Sequence, residues 1–148
     1  MIWGLAAPNL FAAVLMLVDE IHFHRRRGLP RWERIGHPLD TLTLLACYAV
    51  ALIFPPEGKY LALFAALGVF SCLFITKDEG IHTDNCDAKE NHLHALLFVL
   101  HPVLLFSVGL LWWLPDLAGA RTLLVTQAAL TLLFGLYQLI YWNFVWRP

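Results

Sequence analysis

The chain has 148 residues, of which 59% are hydrophobic and only 14% are charged, whereas soluble domains contain about 25% charged residues. A transmembrane helix needs ~20 apolar residues, so five such helices would occupy most of the chain and exclude a sizeable soluble domain. The net charge of −1 excludes the basic surface that nucleic-acid binding requires. The three cysteines, Cys47, Cys72 and Cys86, are irregularly spaced and predict no disulfide framework.

Five apolar segments predict five transmembrane helices, because a chain in lipid has to satisfy its own backbone hydrogen bonds. The first segment lacks a basic leader and a small-residue cleavage site, so we expect a retained span and not a signal peptide. We expect an all-α integral membrane protein with residues 1–148 in a single transmembrane domain. In chain order, the segments are 2–18, 39–54, 60–76, 93–114 and 122–145.

The positive charges predict how these helices are oriented. Short loops rich in Lys and Arg stay in the cytoplasm, and the connection 25–34 contains five arginines. Threading five spans from this connection places eight Lys and Arg residues on the cytoplasmic side and two, Lys59 and Arg121, outside. The six tryptophans then fall near the membrane interfaces or in the inner loop, where Trp is enriched. We therefore predict an outside N-terminus in an integral membrane protein, such as one of a bacterial inner membrane.

Four predicted helix ends on the cytoplasmic side each offer a carboxylate and an imidazole three or four residues apart. Residues at these spacings share one face of a helix. The pattern is similar in general to di-metal carboxylate bundles, which use Glu-x-x-His pairs on facing helices. We predict two metal ions near the cytoplasmic face of the membrane. The predicted ligands are Asp19, His22, His37, Asp40, Glu79, His82, Glu90 and His94.

Two halves of the chain follow the same pattern. Residues 1–54 and 60–114 each contain an apolar span that ends in acidic residues and a histidine, then a polar connection and a second helix with its own histidine and acid. This predicts a repeated helical hairpin, a symmetry that favours paired metal sites. The four helices of the two hairpins would form the metal-binding bundle, and residues 117–148 would add a fifth helix.

The remaining histidines have weaker signals. His24 and His92 each lie two residues from another histidine, so we expect them to point away from the ligands or to support them. For the first connection, a solvated, salt-bridged hairpin explains the acids and arginines as well as metal binding does.

His101 lies two turns beyond His94, about 10.5 Å along the helix. Because ionisable residues inside a membrane are usually functional, we predict a catalytic role as proton relay or substrate-pocket wall; a neutral ring bonded to a neighbouring helix is the alternative.

Carboxylates and imidazoles without organised thiolates favour iron, with zinc or manganese as alternatives. Cys86 as a soft ligand would favour zinc. We expect a di-iron oxidoreductase that acts on a lipid-like, membrane-soluble substrate. The second hypothesis is a two-metal zinc hydrolase of a lipid ester, amide or phosphate, and the third is a metal carrier or sensor. The expected partners are the lipid bilayer and this substrate, with a homo-oligomer also compatible and no nucleic acid.

Overall fold

The computed structural model describes residues 2–80 and 85–147, and within these ranges the protein is helical with no strand. All five helices have the length and hydropathy to cross a membrane, so the prediction of an all-helical protein with five such helices is confirmed. The first two helices extend well into the polar residues beside the predicted segments. The helices are α1 (Ile2–Arg27), α2 (Arg31–Ile53), α3 (Gly58–Lys77), α4 (Ala88–Trp113) and α5 (Ala120–Val145).

The helices form a bundle in which α2 packs against α5 and α3, and α1 packs along α4. Gly135 permits the close approach of α5 to α2, since a Cβ atom at this position would lie 2.7 Å from Cγ2 of Thr41. Cys47, Tyr48 and Val108 lie at the centre of the apolar core. Large apolar side chains cover the outer surface, as expected for helices that contact lipid. Examples are Leu10, Leu63, Val99, Phe106 and Leu133.

Successive helices run in opposite directions, so the ends of α1, α3 and α5 lie beside the starts of α2 and α4. We call this region the polar end. Three interhelical contacts define it: Asp19 with His94, Asp40 with Lys77, and Glu20 with Trp142. The acidic and imidazole side chains that the sequence analysis grouped on one side of the membrane therefore meet at one end of the bundle, except those outside the described residues.

Two helices change their hydrogen bonding at the polar end. In α1, residues Asp19–His24 form a π turn, in which the N–H of Arg25 bonds to the carbonyl of Glu20 five residues earlier. In α5, residues Tyr141–Val145 form a second π turn, and the N–H of Trp146 bonds to the carbonyl of Tyr141 at 2.7 Å. Such turns are frequently found at functional sites. Here, the buried Trp142 of the second π turn contacts the buried Glu20 of the first.

The α1–α2 connection is fixed against the end of α5. Gly28 has a φ of +76°, and a Cβ atom there would lie 2.7 Å from Cζ2 of Trp146. The guanidinium of Arg34 lies over the same indole, 4.2 Å from the ring centroid. Only glycine combines this backbone conformation with this close contact.

A second set of buried polar side chains lies away from the polar end and links four helices. Asn9 of α1 donates to the hydroxyl of Ser107 in α4 at 3.0 Å, and the hydroxyl of Tyr48 in α2 donates to Oδ1 of Asn9 at 3.1 Å. Oε1 of Gln127 in α5 lies 3.5 Å from the same Tyr48 hydroxyl. We call these four residues the neutral network. Bonds of this kind commonly hold membrane helices together.

Candidate metal centre

Helices α1 and α4 bring four metal-binding side chains together at the polar end. Asp19 and His24 come from the π turn of α1, and Glu90 and His94 lie one turn apart on α4. Each offers one ligand atom, and these atoms all lie within 4.8 Å of one another. All four residues are buried. We call them the primary group, and they could hold a metal ion.

Asp19 lies between the two imidazoles of the primary group. Nε2 of His94 is 3.1 Å from both carboxylate oxygens of Asp19. Nε2 of His24 is 3.1 Å from Oδ2 of Asp19 and 3.7 Å from Oε1 of Glu90. Two imidazole nitrogens and two carboxylates therefore converge on one small volume, which is a ligand set suited to iron, manganese or zinc.

The π turn explains how Asp19 and His24 reach the same point. In an α-helix of 3.6 residues per turn, residues five apart lie about 140° from each other around the axis. A turn closed by bonds between residues five apart places them near the same face. The wider turn directs Asp19, Glu20 and His24 into the bundle, while His22 lies on the exposed side.

A second group adjoins the first and shares His24 with it. His24, Glu33 and His37 also have ligand atoms within 4.8 Å of one another. Glu33 and His37 lie one turn apart on α2, and the ring centroids of His24 and His37 are 5.0 Å apart. We call these three residues the adjoining group.

The polar end contains more buried negative than positive charge. Asp19, Glu20, Glu33 and Glu90 are 5%, 2%, 0% and 2% exposed. The guanidinium of Arg27 bridges two of them, with Nη2 2.9 Å from Glu33 and 2.8 Å from Glu90. Burying an uncompensated carboxylate costs several kcal/mol. With the imidazoles neutral, four carboxylates against this one arginine leave a net negative charge that a bound cation would offset.

Glu20 holds the far side of the His24 ring. Its Oε2 lies 3.4 Å from Nδ1 of His24, and its Oε1 accepts hydrogen bonds from the Tyr137 hydroxyl at 2.6 Å and the Trp142 indole at 3.0 Å. An N–H on Nδ1 would donate to Glu20 and leave Nε2 as the metal-binding nitrogen. A carboxylate behind a ligating imidazole is a regular feature of metal sites, where it fixes the ring and raises its basicity.

Cys86 and Asp87 lie just before α4, beside Glu90. Burial raises the pKa of the Cys86 thiol to about 12, so the thiol stays protonated at neutral pH when no metal is bound. Asp87 accepts hydrogen bonds from the backbone N–H groups of Lys89 and Glu90 at 2.8 and 2.9 Å. The bond from Glu90 is the largest cause that lowers the pKa of the Asp87 carboxyl, so this carboxylate caps the helix in its charged form.

The structure brings four of the eight predicted ligands to the two groups. Asp19, Glu90 and His94 belong to the primary group, and His37 belongs to the adjoining group. The other four predicted ligands either belong to neither group or lie outside the described residues. His22 is exposed with Nε2 3.4 Å from Arg26, Asp40 pairs with Lys77 at 2.7 Å, Glu79 is exposed, and His82 lies outside the described residues.

Sequence reasoning missed His24, Glu33 and the supporting role of Glu20. His24 was expected to point away from the ligands because an α-helix places it away from His22. The sequence contains two further pairs of a carboxylate and an imidazole at the spacing used above, Glu20 with His24 and Glu33 with His37. Both join a carboxylate and an imidazole four residues apart, and the structure uses both.

His101, the predicted catalytic residue, lies away from both groups. Its Nε2 is 2.8 Å from the Ser71 hydroxyl of α3, which is 2.7 Å from the Thr43 hydroxyl of α2. Thr43 donates in turn to the backbone carbonyl of Asp40 at 2.8 Å. A hydrogen-bonded chain therefore connects His101 to Asp40, the residue that pairs with Lys77 at the polar end.

Compared with protein-family models, with curated proteins and with solved structures, the chain shows no match.

Proposed function

We propose that this protein is a membrane-embedded metalloenzyme whose metal centre lies at the polar end of the bundle. The observation that carries the proposal is the primary group, in which two imidazoles and two carboxylates from α1 and α4 are buried with ligand atoms within 4.8 Å. The surplus of buried carboxylates supports a divalent cation, because such a charge is otherwise costly to bury.

The surroundings of His24 support the same proposal. Glu20 would fix the imidazole so that Nε2 faces Asp19 and Glu90, and Tyr137 and Trp142 hold Glu20 in turn. This arrangement resembles the second layer of residues that orients ligands in known metal sites.

We further propose a second metal ion at the adjoining group. Glu33 and His37 would supply ligands to it, and His24, whose Nε2 faces the primary group, would lie between the two ions. Two ions at close range would act together in oxygen chemistry or in hydrolysis. The number of ions per chain is therefore a direct test of the dinuclear proposal.

For the chemistry, we favour a di-iron oxidoreductase that uses dioxygen on a membrane-soluble substrate. Nitrogen and oxygen ligands without a thiolate suit iron, and neither group of described residues includes a cysteine. The eight-to-two distribution of Lys and Arg supports placing the polar end on the cytoplasmic side.

A two-metal hydrolase is the second candidate, and one observation favours it. A cavity of about 340 Å³ reaches Glu90 and is lined by His22, Arg26 and Arg27 among others. Such side chains would suit an anionic ester as substrate. Zinc in place of iron would support this candidate.

The test is elemental analysis and optical spectroscopy of the purified protein, with His24→Ala and His22→Ala as a matched pair. Both changes remove a histidine from the same π turn, but only His24 belongs to the primary group. We expect two ions per wild-type chain, loss of metal in His24→Ala and retention in His22→Ala. Metal loss only in His22→Ala would contradict the site, and one ion per chain would contradict the dinuclear proposal.

A further inference from the structure

The hydrogen-bonded chain that starts at His101 lies away from both groups of metal-binding residues. It joins α4, α3 and α2 through His101, Ser71 and Thr43, and it ends at the backbone carbonyl of Asp40. The heavy-atom distances along it are 2.8 Å, 2.7 Å and 2.8 Å. Each contact has the length of a hydrogen bond and therefore needs one hydrogen between its two heavy atoms.

The direction of this chain follows from counting the hydrogens. A carbonyl oxygen only accepts, so the hydrogen of the Thr43 hydroxyl lies on the Asp40 carbonyl. Because each hydroxyl has a single hydrogen, the bond between Thr43 and Ser71 uses the hydrogen of Ser71. The bond between Ser71 and His101 then takes its hydrogen from Nε2 of the imidazole. The Asp40 carbonyl therefore sets the direction of all three bonds.

This direction selects one tautomer of His101. A neutral imidazole carries one hydrogen, on Nε2 or on Nδ1, and the other nitrogen is an acceptor. With the hydrogen on Nδ1, one of the three contacts would have no hydrogen, and a buried polar group without its partner is costly. With the hydrogen on Nε2, all three contacts are hydrogen bonds. Nδ1 is then the accepting nitrogen of the ring.

The surroundings of His101 favour a ligand that donates hydrogen bonds. Nε2 faces Ser71, which is 0% exposed, whereas His101 is partly exposed at the side of the bundle. Pro102 has no N–H group, so the carbonyl of Phe98 cannot receive its usual helical bond. Side chains in a helix lean over the preceding turn, so the ring and this carbonyl lie on one turn of α4. Both groups are acceptors.

We infer that Thr43 and Ser71 position the neutral ring of His101 with its hydrogen on Nε2, so that Nδ1 accepts a hydrogen bond from a molecule in the bilayer that carries a hydroxyl group. A hydroxyl is a neutral donor, which enters an apolar region at far lower cost than an ammonium group. A carbonyl has no proton to pass on, so proton exchange of His101 takes place at Nδ1. The inference goes beyond the proposed metal centre and does not depend on it.

The experiment is NMR spectroscopy of the full chain in detergent micelles, with histidine labelled by an NMR-active nitrogen isotope. Couplings between the ring nitrogens and the ring C–H hydrogens identify the tautomer, and the signals of His101 are those that His101→Gln lacks. We expect the Nε2–H form to exceed the Nδ1–H form by about ten-fold, the equivalent of one hydrogen bond. An Nδ1–H form of equal or greater population would overturn the inference.

Two threonine variants test whether the chain sets this tautomer, since free histidine also prefers the Nε2–H form. Thr43→Val removes the acceptor of the Ser71 hydrogen, which can then turn toward His101, so we expect the share of the Nδ1–H form to rise about five-fold. Thr41→Val is the matched control on α2, because the Thr41 hydroxyl bonds to Gln138 outside the chain. An unchanged share in Thr43→Val, or an equal change in both variants, would overturn the positioning role.

A second arm tests the ligand with two probes of similar shape. Octanol carries a hydroxyl donor, and octane does not. We expect octanol to shift the nitrogen signal of Nδ1 of His101 in the wild-type protein, and octane at the same concentration to leave it unchanged. A signal that responds to neither probe, or equally to both, would overturn Nδ1 as the atom that binds the hydroxyl group.

Discussion

The polar end and the neutral network are both buried polar regions of one apolar bundle, but they differ in charge. In the neutral network, amide and hydroxyl groups from four helices satisfy one another, as with Asn9 between Ser107 and Tyr48. At the polar end, four buried carboxylates surround His24 and Arg27. The first arrangement is complete without a ligand, and the second gains stability from an added cation.

Polar residues inside an apolar helical bundle can have two different roles. Neutral hydrogen bonds between helices contribute little each, about 0.6 kcal/mol, and serve packing. Buried ionisable groups are much more costly, and the proposed metal centre would offset the cost of concentrating them at one end. Changes in the two regions should therefore have different consequences for metal binding and stability.

The largest effect is expected from Asp19→Ala. Asp19 is the carboxylate that faces both His24 and His94, so its loss should weaken metal binding by more than 100-fold. Equilibrium dialysis with metal analysis measures the change. Tyr48→Phe, in the neutral network, is the control and should bind metal as the wild type does. Equal metal loss in both variants would remove the distinction between the two regions.

Metal removal should have the next largest effect. If the cation offsets the buried carboxylates, a free metal concentration of 100 times Kd should stabilise the folded state by about 2.7 kcal/mol. Thermal unfolding in detergent with chelator and then with added metal measures this. Tyr48→Phe should lower stability by the same amount with and without metal, and a metal-dependent difference there would show that the regions are coupled.

A smaller effect is expected from Tyr137→Phe. This change removes the hydrogen bond from Tyr137 to Glu20, which supports His24. Loss of a residue behind a metal ligand typically costs 10–100-fold in affinity, and the Trp142 bond that remains favours the lower value. Competition with a chelator of known affinity measures it. Gln127→Ala on the same helix is the control, and an equal loss of affinity there would contradict the role of Tyr137.

The smallest effect on metal binding is expected from His101→Ala. His101 contacts Ser71 and belongs to neither group of metal-binding residues, so metal content should not change and stability should fall by about 0.6 kcal/mol. If His101 relays protons as predicted, activity should fall far more than stability once a substrate is identified. Loss of metal from this variant would instead assign His101 to the metal centre.

Much of the architecture could be predicted from composition, because apolar length and backbone hydrogen bonding leave few options in lipid. The approach of Asp19 to Glu90 and His94 could also be predicted. Antiparallel helices bring the end of α1 beside the start of α4, and Glu90 and His94 lie one turn apart on α4. The orientation in the membrane and the repeated hairpin stay predictions.

The other ligands could not be chosen from spacing alone. In an α-helix His22 shares a face with Asp19 and His24 does not, and no residue type marks a π turn in the sequence. Asp40 was assigned to the metal without considering Lys77, which lies 37 positions later but contacts it in space. The pair between Asp40 and Lys77 can be predicted only when the packing of α2 against α3 is known.

The two π turns have a consequence for how this protein could change over time. Each accommodates one more residue in a turn than an α-helix does, so a single deletion within 19–24 could restore regular hydrogen bonding to α1. Residues from Arg25 onward would keep their register, because the N–H of Arg25 would still bond to the carbonyl of Glu20, now four residues earlier. If the deleted residue is the exposed Ile21, Asp19 and His24 become four residues apart and still share one face of the helix. A one-codon deletion, which in a regular helix rotates every later side chain by about 100°, would here be absorbed by the turn with the candidate metal centre kept.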